Sequence, residues 1–121
     1  MSQIRYLFDE HIAHPLRAGL HRREPAIDVL CVGDEGAPAK GTPDPELLLA
    51  VEGVGRVLVT SNRRTMPKHF VAHLARGHHT WGIFAIAPRA TWLQIIDELI
   101  LLWATTTADE WRDQFQYIPM F

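Results

Sequence analysis

Carboxylate, hydroxyl and amide side chains stand directly after the apolar segments of this sequence, or at the start of a segment with helical spacing. These side chains are those of Asp9, Glu10, Asp34, Glu35, Asp44, Thr60, Ser61 and Asn62. If the apolar segments are parallel strands, their carboxyl ends meet at one edge of a sheet and the carboxylates converge there. Converging carboxylates repel one another unless a divalent cation neutralises them, and Mg²⁺ or Mn²⁺ prefers such oxygen ligands. The pattern therefore predicts a cation site with open positions for water and phosphate.

Simpler interpretations apply to some of these acids. Asp44 suits a helix N-cap, with a proline behind it at the first helical position. Asp34 and Glu35 precede a glycine and suit a solvated turn. Asp9 and Glu10 are harder to explain in this way, because a turn or a cap rarely needs two acids directly after a first strand. Function is therefore predicted most firmly for Asp9.

A basic loop follows the third apolar segment and contains Arg63, Arg64 and Lys68. The simplest interpretation is a solvated loop, but arginine at the start of a helix is disfavoured by the helix dipole. Arginine and lysine side chains bind phosphate groups well, so this loop could hold phosphates over the cation. Thr60 and Ser61 add hydroxyl groups to the same surface.

Histidines and composition restrict the other chemistries. His69 and His73 are four apart on a predicted helix, as in some metal sites, but the zinc-protease motif is absent and surface histidines are the main interpretation. Net charge is −2 over 121 residues, so nucleic-acid binding would need a local basic patch. The single cysteine, Cys31, lies in an apolar run and predicts a buried thiol in a reducing, cytoplasmic setting. The N-terminus meets acids too early for a signal peptide.

The elements that position these residues alternate between strand and helix. Strands are predicted over 4–8, 27–32, 56–60 and 81–86, with a final edge strand in "QYIPMF". Helices are predicted over 14–22, from Asp44 to about Gly53, over 67–76 and over 91–103, and a capping box at 107–110 opens a short last helix. This order predicts one α/β domain over residues 1–121, with a mostly parallel central sheet of four or five strands and helices on both faces.

Two helices carry further expectations. The helix over 67–76 is expected to turn Phe70, Val71 and Leu74 inward. The helix over 91–103 is apolar nearly all round, which predicts burial or a contact with a second copy or another protein. It is too short and too acidic to span a membrane.

The segments "IRYLFDEHI", "GTPDPELL" and "GRVLVTSN" resemble, in order and spacing, the short PIN-like domains related to VapC toxins. This resemblance implies a PIN-like, Rossmannoid fold and a Mg²⁺- or Mn²⁺-dependent ribonuclease. It also implies the toxin role in a toxin–antitoxin pair, with a small antitoxin protein as partner. Asp9 and Asp44 match the family's metal-binding aspartates, Glu10 matches the neighbour of the first, and Thr60 matches the threonine after the third strand.

The chain departs from the family pattern where Asn62 and Arg64 replace aspartates and His11 replaces an asparagine. Asparagine keeps one oxygen ligand but no charge, and an added arginine opposes a cation, so cation affinity should fall. Two hypotheses stay open: a ribonuclease and a degenerate module that binds RNA or a protein without cleavage. A phospho-receiver domain is disfavoured, because it needs an aspartate after the third strand and a lysine late in the sheet.

The ribonuclease hypothesis assigns a role to each of these residues. Catalysis is assigned to Asp9, Asp44 and Asn62. The cation is assigned to Asp9, Glu10, Asp44 and Asn62. RNA binding is assigned to Thr60, Ser61, Arg63, Arg64 and Lys68.

Overall fold

The computed structural model describes residues 3–12 and 14–120, and strands and helices alternate along this part of the chain. The strands are β1 Tyr6–Phe8, β2 Val29–Cys31, β3 Val57–Thr60, β4 Ile83–Ile86 and β5 Phe115–Ile118. The helices are α1 His14–Arg23, α2 Asp44–Val54, α3 Met66–Ala75 and α4 Trp92–Thr105, with a short 3-10 helix at Ala108–Trp111. The predicted alternation is confirmed, and the first four predicted strands each begin one or two residues later than expected.

The five strands form one parallel sheet in the order β2-β1-β3-β4-β5. In its centre, Leu7 of β1 pairs with Leu30 of β2 and with Leu58 of β3. The predicted fold class, a parallel α/β sheet with helices on both faces, is confirmed. The predicted C-terminal strand is also confirmed as an edge strand, because β5 lies at the end of the strand order, and Pro119 directly follows it.

Alternate residues of the strands pack into two separate hydrophobic cores, one on each face of the sheet. Tyr6 and Phe8 of β1 pack with α1 and α4, whereas Leu7 faces α2 and α3 on the other side. Because both faces of the sheet are covered, the strands are apolar at nearly every position rather than at every second one. The hydroxyl of Tyr6 donates to the carbonyl of Leu99 in α4 at 2.7 Å.

Helix α2 begins differently from the prediction. Pro43 is the N-cap residue in an extended conformation, and its carbonyl accepts the first helical hydrogen bond from the N–H of Leu47. Asp44 is thus the first helical residue, and its carboxylate makes no capping hydrogen bond. The predicted N-cap role of Asp44 was wrong, and its carboxylate is left for tertiary contacts. The helix ends at Gly55, whose φ of 67° is left-handed.

Helix α3 presents a partly different face to the core from the one predicted, since Phe70 packs against the core as expected but Val71 does not. It begins at Met66, which is fully buried, and its other buried side chain is His73. Val71, predicted to face inward, is 65% exposed. The inward placement predicted for Val71 was wrong. The buried positions of this helix are Met66 and His73, which the apolar pattern did not identify.

Helix α4 begins at a capping box formed by Thr91 and Gln94, and a second capping box at Thr107 and Glu110 confirms the predicted last short helix. One face of α4 is buried, but Trp92, Leu93 and Leu101 are exposed. Complete burial of this helix is therefore excluded in the described structure. No helix among residues 3–12 and 14–120 has the length and apolar character needed to cross a membrane.

Candidate functional site

The sheet places the ends of β1 and β3 side by side, at the point where the strand order reverses. Helix α1 connects β1 to β2 on one side of β1, and α2 connects β2 to β3 on the other side of β1. A crevice therefore opens between the carboxyl ends of β1 and β3. Phe8 pairs with Val59 across this boundary, and the N–H of Asp9 donates to the carbonyl of Val59 at 2.9 Å. Asp9 and Thr60 are therefore delivered to the same crevice.

Asp9 is held rigidly at the floor of the crevice. Its side chain is only 8% exposed. One carboxylate oxygen, Oδ2, accepts a hydrogen bond from the hydroxyl of Thr60 at 2.8 Å. The other, Oδ1, accepts from the N–H of Glu10 at 2.8 Å. A carboxylate has about four acceptor positions, so these two bonds orient the group and leave acceptor capacity unused.

The loop after β3 is built by the side chains of Thr60 and Asn62. The Thr60 hydroxyl, besides donating to Asp9, accepts from the N–H of Asn62 at 3.0 Å. The side-chain oxygen of Asn62 accepts from the N–H of Thr65 at 3.1 Å. Short-range bonds of this kind stabilise turns, and here they lead the chain from β3 into α3. The abrupt change from apolar to polar residues after β3 thus encodes a specific turn.

Asp44 reaches the crevice from the start of α2. Its Oδ2 accepts a hydrogen bond from Nδ2 of Asn62 at 2.9 Å, and Nε2 of His69 lies 3.9 Å from the same oxygen. Asn62 was predicted to offer its oxygen to a cation. In the structure its oxygen faces the backbone of Thr65 and its NH₂ group faces Asp44, so its observed role is that of a hydrogen-bond donor.

Glu10 closes one side of the crevice. Its Oε1 accepts from the N–H of Gly41 at 2.8 Å and so ties the long loop before α2 to the end of β1. The result is an open pocket of about 550 Å³. It is lined by Asp9, Glu10, His11, Gly41, Thr42, Pro43, Asp44, Ser61 and Asn62. We call this space the acidic pocket.

The predicted RNA-binding residues lie around the loop after β3, in differing environments. Arg63, Arg64 and Lys68 are exposed, and so is Ser61. Nη1 of Arg63 donates to the carbonyl of Ile86 at 3.2 Å, which ties the loop to the end of β4. Thr60 is fully buried beneath Asp9, so its predicted contact with RNA was wrong. Its role is instead to support the carboxylate.

Asp34 lies outside the acidic pocket. Its Oδ2 accepts from the N–H of Cys31 at 2.9 Å and pairs with Nη1 of Arg17 at 2.9 Å. The turn interpretation of Asp34 is thus confirmed, and the adjacent Glu35 is exposed. Cys31 is half-buried, and burial raises the pKa of its thiol despite the nearby guanidinium of Arg17.

A second group of titratable residues was not anticipated as a group. Oε1 of Glu52 on α2 lies 3.2 Å from Nε2 of His73 and 3.4 Å from Nδ1 of His78. The two imidazole rings stack with centroids 5.0 Å apart, and His73 also contacts the carbonyl of His79 at 2.8 Å. His73 is buried, so the surface placement predicted for His73 was wrong. The only sequence signal was the pair His73 and His78 flanking a helix end.

No group of three or more His, Cys, Asp or Glu side chains is arranged to hold a metal ion within residues 3–12 and 14–120. The acidic pocket nevertheless offers the oxygen ligands that a hard cation prefers, since Asp9 and Asp44 present carboxylate oxygens with unused acceptor capacity. Mg²⁺ in phosphoryl-transfer sites is often held by only one or two carboxylates, with water and phosphate completing its ligands.

No family profile, curated protein or solved structure matches this chain at a significant level.

Proposed function

We propose that the acidic pocket binds Mg²⁺ or Mn²⁺ and that the protein hydrolyses phosphodiester bonds of RNA, like the PIN-like toxins it resembles. The observation that carries the proposal is the convergence of Asp9 and Asp44 on one pocket at the reversal of strand order. Open α/β sheets bind their ligands in this crevice. Burial of a charge is costly unless hydrogen bonds or an opposite charge offset it, and at Asp9 the hydroxyl of Thr60 and the N–H of Glu10 supply hydrogen bonds.

Some residues of the pocket would bind the cation directly, and others position those ligands. Asp9 and Asp44 would hold the cation, with Glu10 at the edge of the pocket. Thr60 fixes the rotamer of Asp9, and the bond from Gly41 to Glu10 keeps the long loop in place. A bound cation would supply an activated water and would stabilise negative charge on the phosphoryl oxygens. Preorganised carboxylates make that charge stabilisation effective, since they need no rearrangement during the reaction.

The basic residues beyond β3 would bind the RNA backbone. Arg64 and Lys68 are exposed in the loop after β3 and the first turn of α3, and Ser61 of the same loop lines the pocket. Phosphate contacts of this kind position a nucleic acid without reading its sequence. Arg63 has part of its guanidinium committed to the carbonyl of Ile86, so we assign it a smaller share of RNA binding.

The experiment is a cleavage assay on mixed RNA with Mn²⁺, Mg²⁺ or a chelator, comparing the wild type with Asp9→Asn purified in parallel. We expect metal-dependent cleavage by the wild type, none with chelator and none by Asp9→Asn, whose fold is checked by circular dichroism. Equal cleavage by the two proteins would contradict the proposal, because it would place the activity outside the acidic pocket.

A second candidate function is binding of RNA or a protein without cleavage. The observation that favours it is the hydrogen bond from the amide group of Asn62 to Asp44, since a neutral donor there takes the place of one cation contact. Calorimetry separates the two candidates. Absence of heat on titration with millimolar Mn²⁺, together with retained RNA binding, would favour the binding module.

The proposed antitoxin, or a second copy of this chain, would contact the exposed face of α4. Leu93 and Leu101 are large apolar side chains exposed on α4, and Trp92 is exposed at its first turn. Surfaces of this kind are typical of protein contacts. A short neighbouring reading frame that encodes a DNA-binding protein would identify the partner, and co-purification with it would test the contact.

A further inference from the structure

The side chain of Asn62 bridges the two sides of the acidic pocket. The backbone N–H of Thr65 can only donate, so the Asn62 atom that faces it at 3.1 Å is the oxygen. The NH₂ group is therefore the atom group that lies 2.9 Å from Oδ2 of Asp44 and 2.8 Å from Oγ1 of Thr65. Since both ends of the amide are engaged, Asn62 connects the start of α2 to the loop after β3.

Each carboxylate of the pocket accepts at least one hydrogen bond from an uncharged donor. Asp44 receives the Asn62 amide, and Asp9 receives the Thr60 hydroxyl and a backbone N–H. Glu10 receives the backbone N–H of Gly41. An acidic pocket normally depends on a cation to offset the repulsion between its carboxylates. In this pocket, hydrogen bonds from neutral groups carry out part of that task.

We propose that Asn62 is a positioning residue that holds Asp44 through its amide group, so that the acidic pocket keeps its shape without a bound cation. This role rests on the proposed function only for the identity of the pocket as a cation site. The cation is consequently optional for folding and required only for chemistry. The same amide lowers the affinity of the pocket for divalent cations, because it adds a neutral donor where a third carboxylate would add charge.

The substitution Asn62→Asp tests this role. It places a carboxylate oxygen where the NH₂ group now lies, 2.9 Å from Oδ2 of Asp44. Two carboxylates this close cannot both be ionised unless a cation lies between them. The variant should therefore become dependent on the cation for stability.

The experiment is thermal unfolding in chelator and in millimolar Mn²⁺. In chelator we expect the Tm of Asn62→Asp to fall by about 5 °C relative to wild type. In Mn²⁺ we expect most of that fall to be reversed, with a larger Mn²⁺-induced shift than wild type shows. Calorimetry of the same variant should show Mn²⁺ affinity increased by about tenfold or more.

Two further variants separate positioning from simple loss of a contact. Asn62→Ala removes the amide without adding charge, so its Tm should fall in chelator and gain no extra shift from Mn²⁺. The double variant Asn62→Asp/Asp44→Asn exchanges the donor and the acceptor and keeps one hydrogen bond between the two positions. We expect it to recover most of the lost Tm in chelator, also without an extra shift from Mn²⁺.

A wild-type Tm for Asn62→Asp in chelator would overturn the proposal, as would a loss of Tm that neither Mn²⁺ nor the second substitution reverses. If Asn62→Asp alone does not fold in chelator, the double variant still decides, because its recovery requires direct contact between the two positions. These unfolding measurements use no RNA. A wild type that never cleaves RNA would therefore remove the proposed function and leave the role of Asn62 standing.

Discussion

Strands β1 and β2 lie side by side in the sheet, and each is followed by an Asp-Glu pair. The aspartates of the two pairs nevertheless make different contacts. Asp9, after β1, is buried and contacts the side chain of Thr60 across the β1–β3 boundary. Asp34, shortly after β2, bends back to the N–H of Cys31 and pairs with Arg17 of α1. The first carboxylate lines the acidic pocket, and the second stabilises a turn.

The difference comes from the neighbours of each strand in the sheet. Strand β1 lies between β2 and β3, whereas β2 lies at the edge of the sheet. The partner of Asp9 is 51 residues away in sequence and is delivered by β3. The backbone partner of Asp34 is three residues away and needs no second strand. For these two aspartates, the one that contributes to the pocket is the one whose partner a neighbouring strand supplies.

The largest expected effect concerns activity at the two strand ends. Asp9→Asn should lower metal-dependent RNA cleavage by about 100-fold or more, because it removes a charged oxygen ligand from the pocket. Asp34→Asn, the matched change after β2, should leave the rate within about threefold. The measurement is the initial rate of cleavage in Mn²⁺. Comparable losses in both variants would show that the two ends are not functionally distinct.

The second expected effect concerns the support of Asp9. Thr60→Val keeps the shape of a buried β-branched side chain but removes the hydroxyl that donates to Asp9. The buried Oδ2 of Asp9 then lacks its partner, although Oδ1 keeps the N–H of Glu10, so we expect a loss of about 1–3 kcal/mol in the free energy of unfolding. Thr105→Val at the exposed end of α4 is the control and should change stability by less than about 0.5 kcal/mol. Urea denaturation measures both, and equal stabilities would show that Asp9 does not need this bond.

The smallest expected effect concerns the ion pair after β2. The side chains of Arg17 and Asp34 are each 32% exposed, so water screens their attraction. Arg17→Met should therefore cost at most about 1 kcal/mol of the free energy of unfolding. Denaturation at low and high salt measures the change, and the difference from wild type should shrink as salt increases. If Arg17→Met lowered the free energy of unfolding by more than Thr60→Val does, the expected order of the two effects would be wrong.

Local chemistry was predicted where it depends on nearby residues. The capping box at Thr107, the end of α2 at its glycines and the edge strand before Pro119 follow from short-range rules. Positions that depend on distant partners were predicted less well. His73 is buried because Glu52 of α2 and the loop after α3 surround it, and no residue pattern within α3 contains that information.

The candidate site shows the same division. Its acids and its threonine were identified from their places at strand ends and at the start of a helix. The contact between Thr60 and Asp9, and the approach of His69 to Asp44, depend on which strands and helices are neighbours. The orientation of the Asn62 amide depends on two elements at once, because α2 supplies its acceptor and the loop after β3 supplies its donor.

By itself, the sequence determined the alternation of strands and helices, the double burial of the sheet and the acids at the strand ends. Apolar runs, caps and glycines act over a few residues, so their effect can be read along the chain. Only the tertiary structure decided which acid joins the pocket and which closes a turn. That outcome depends on strand order, and strand order is set by the packing of the whole chain.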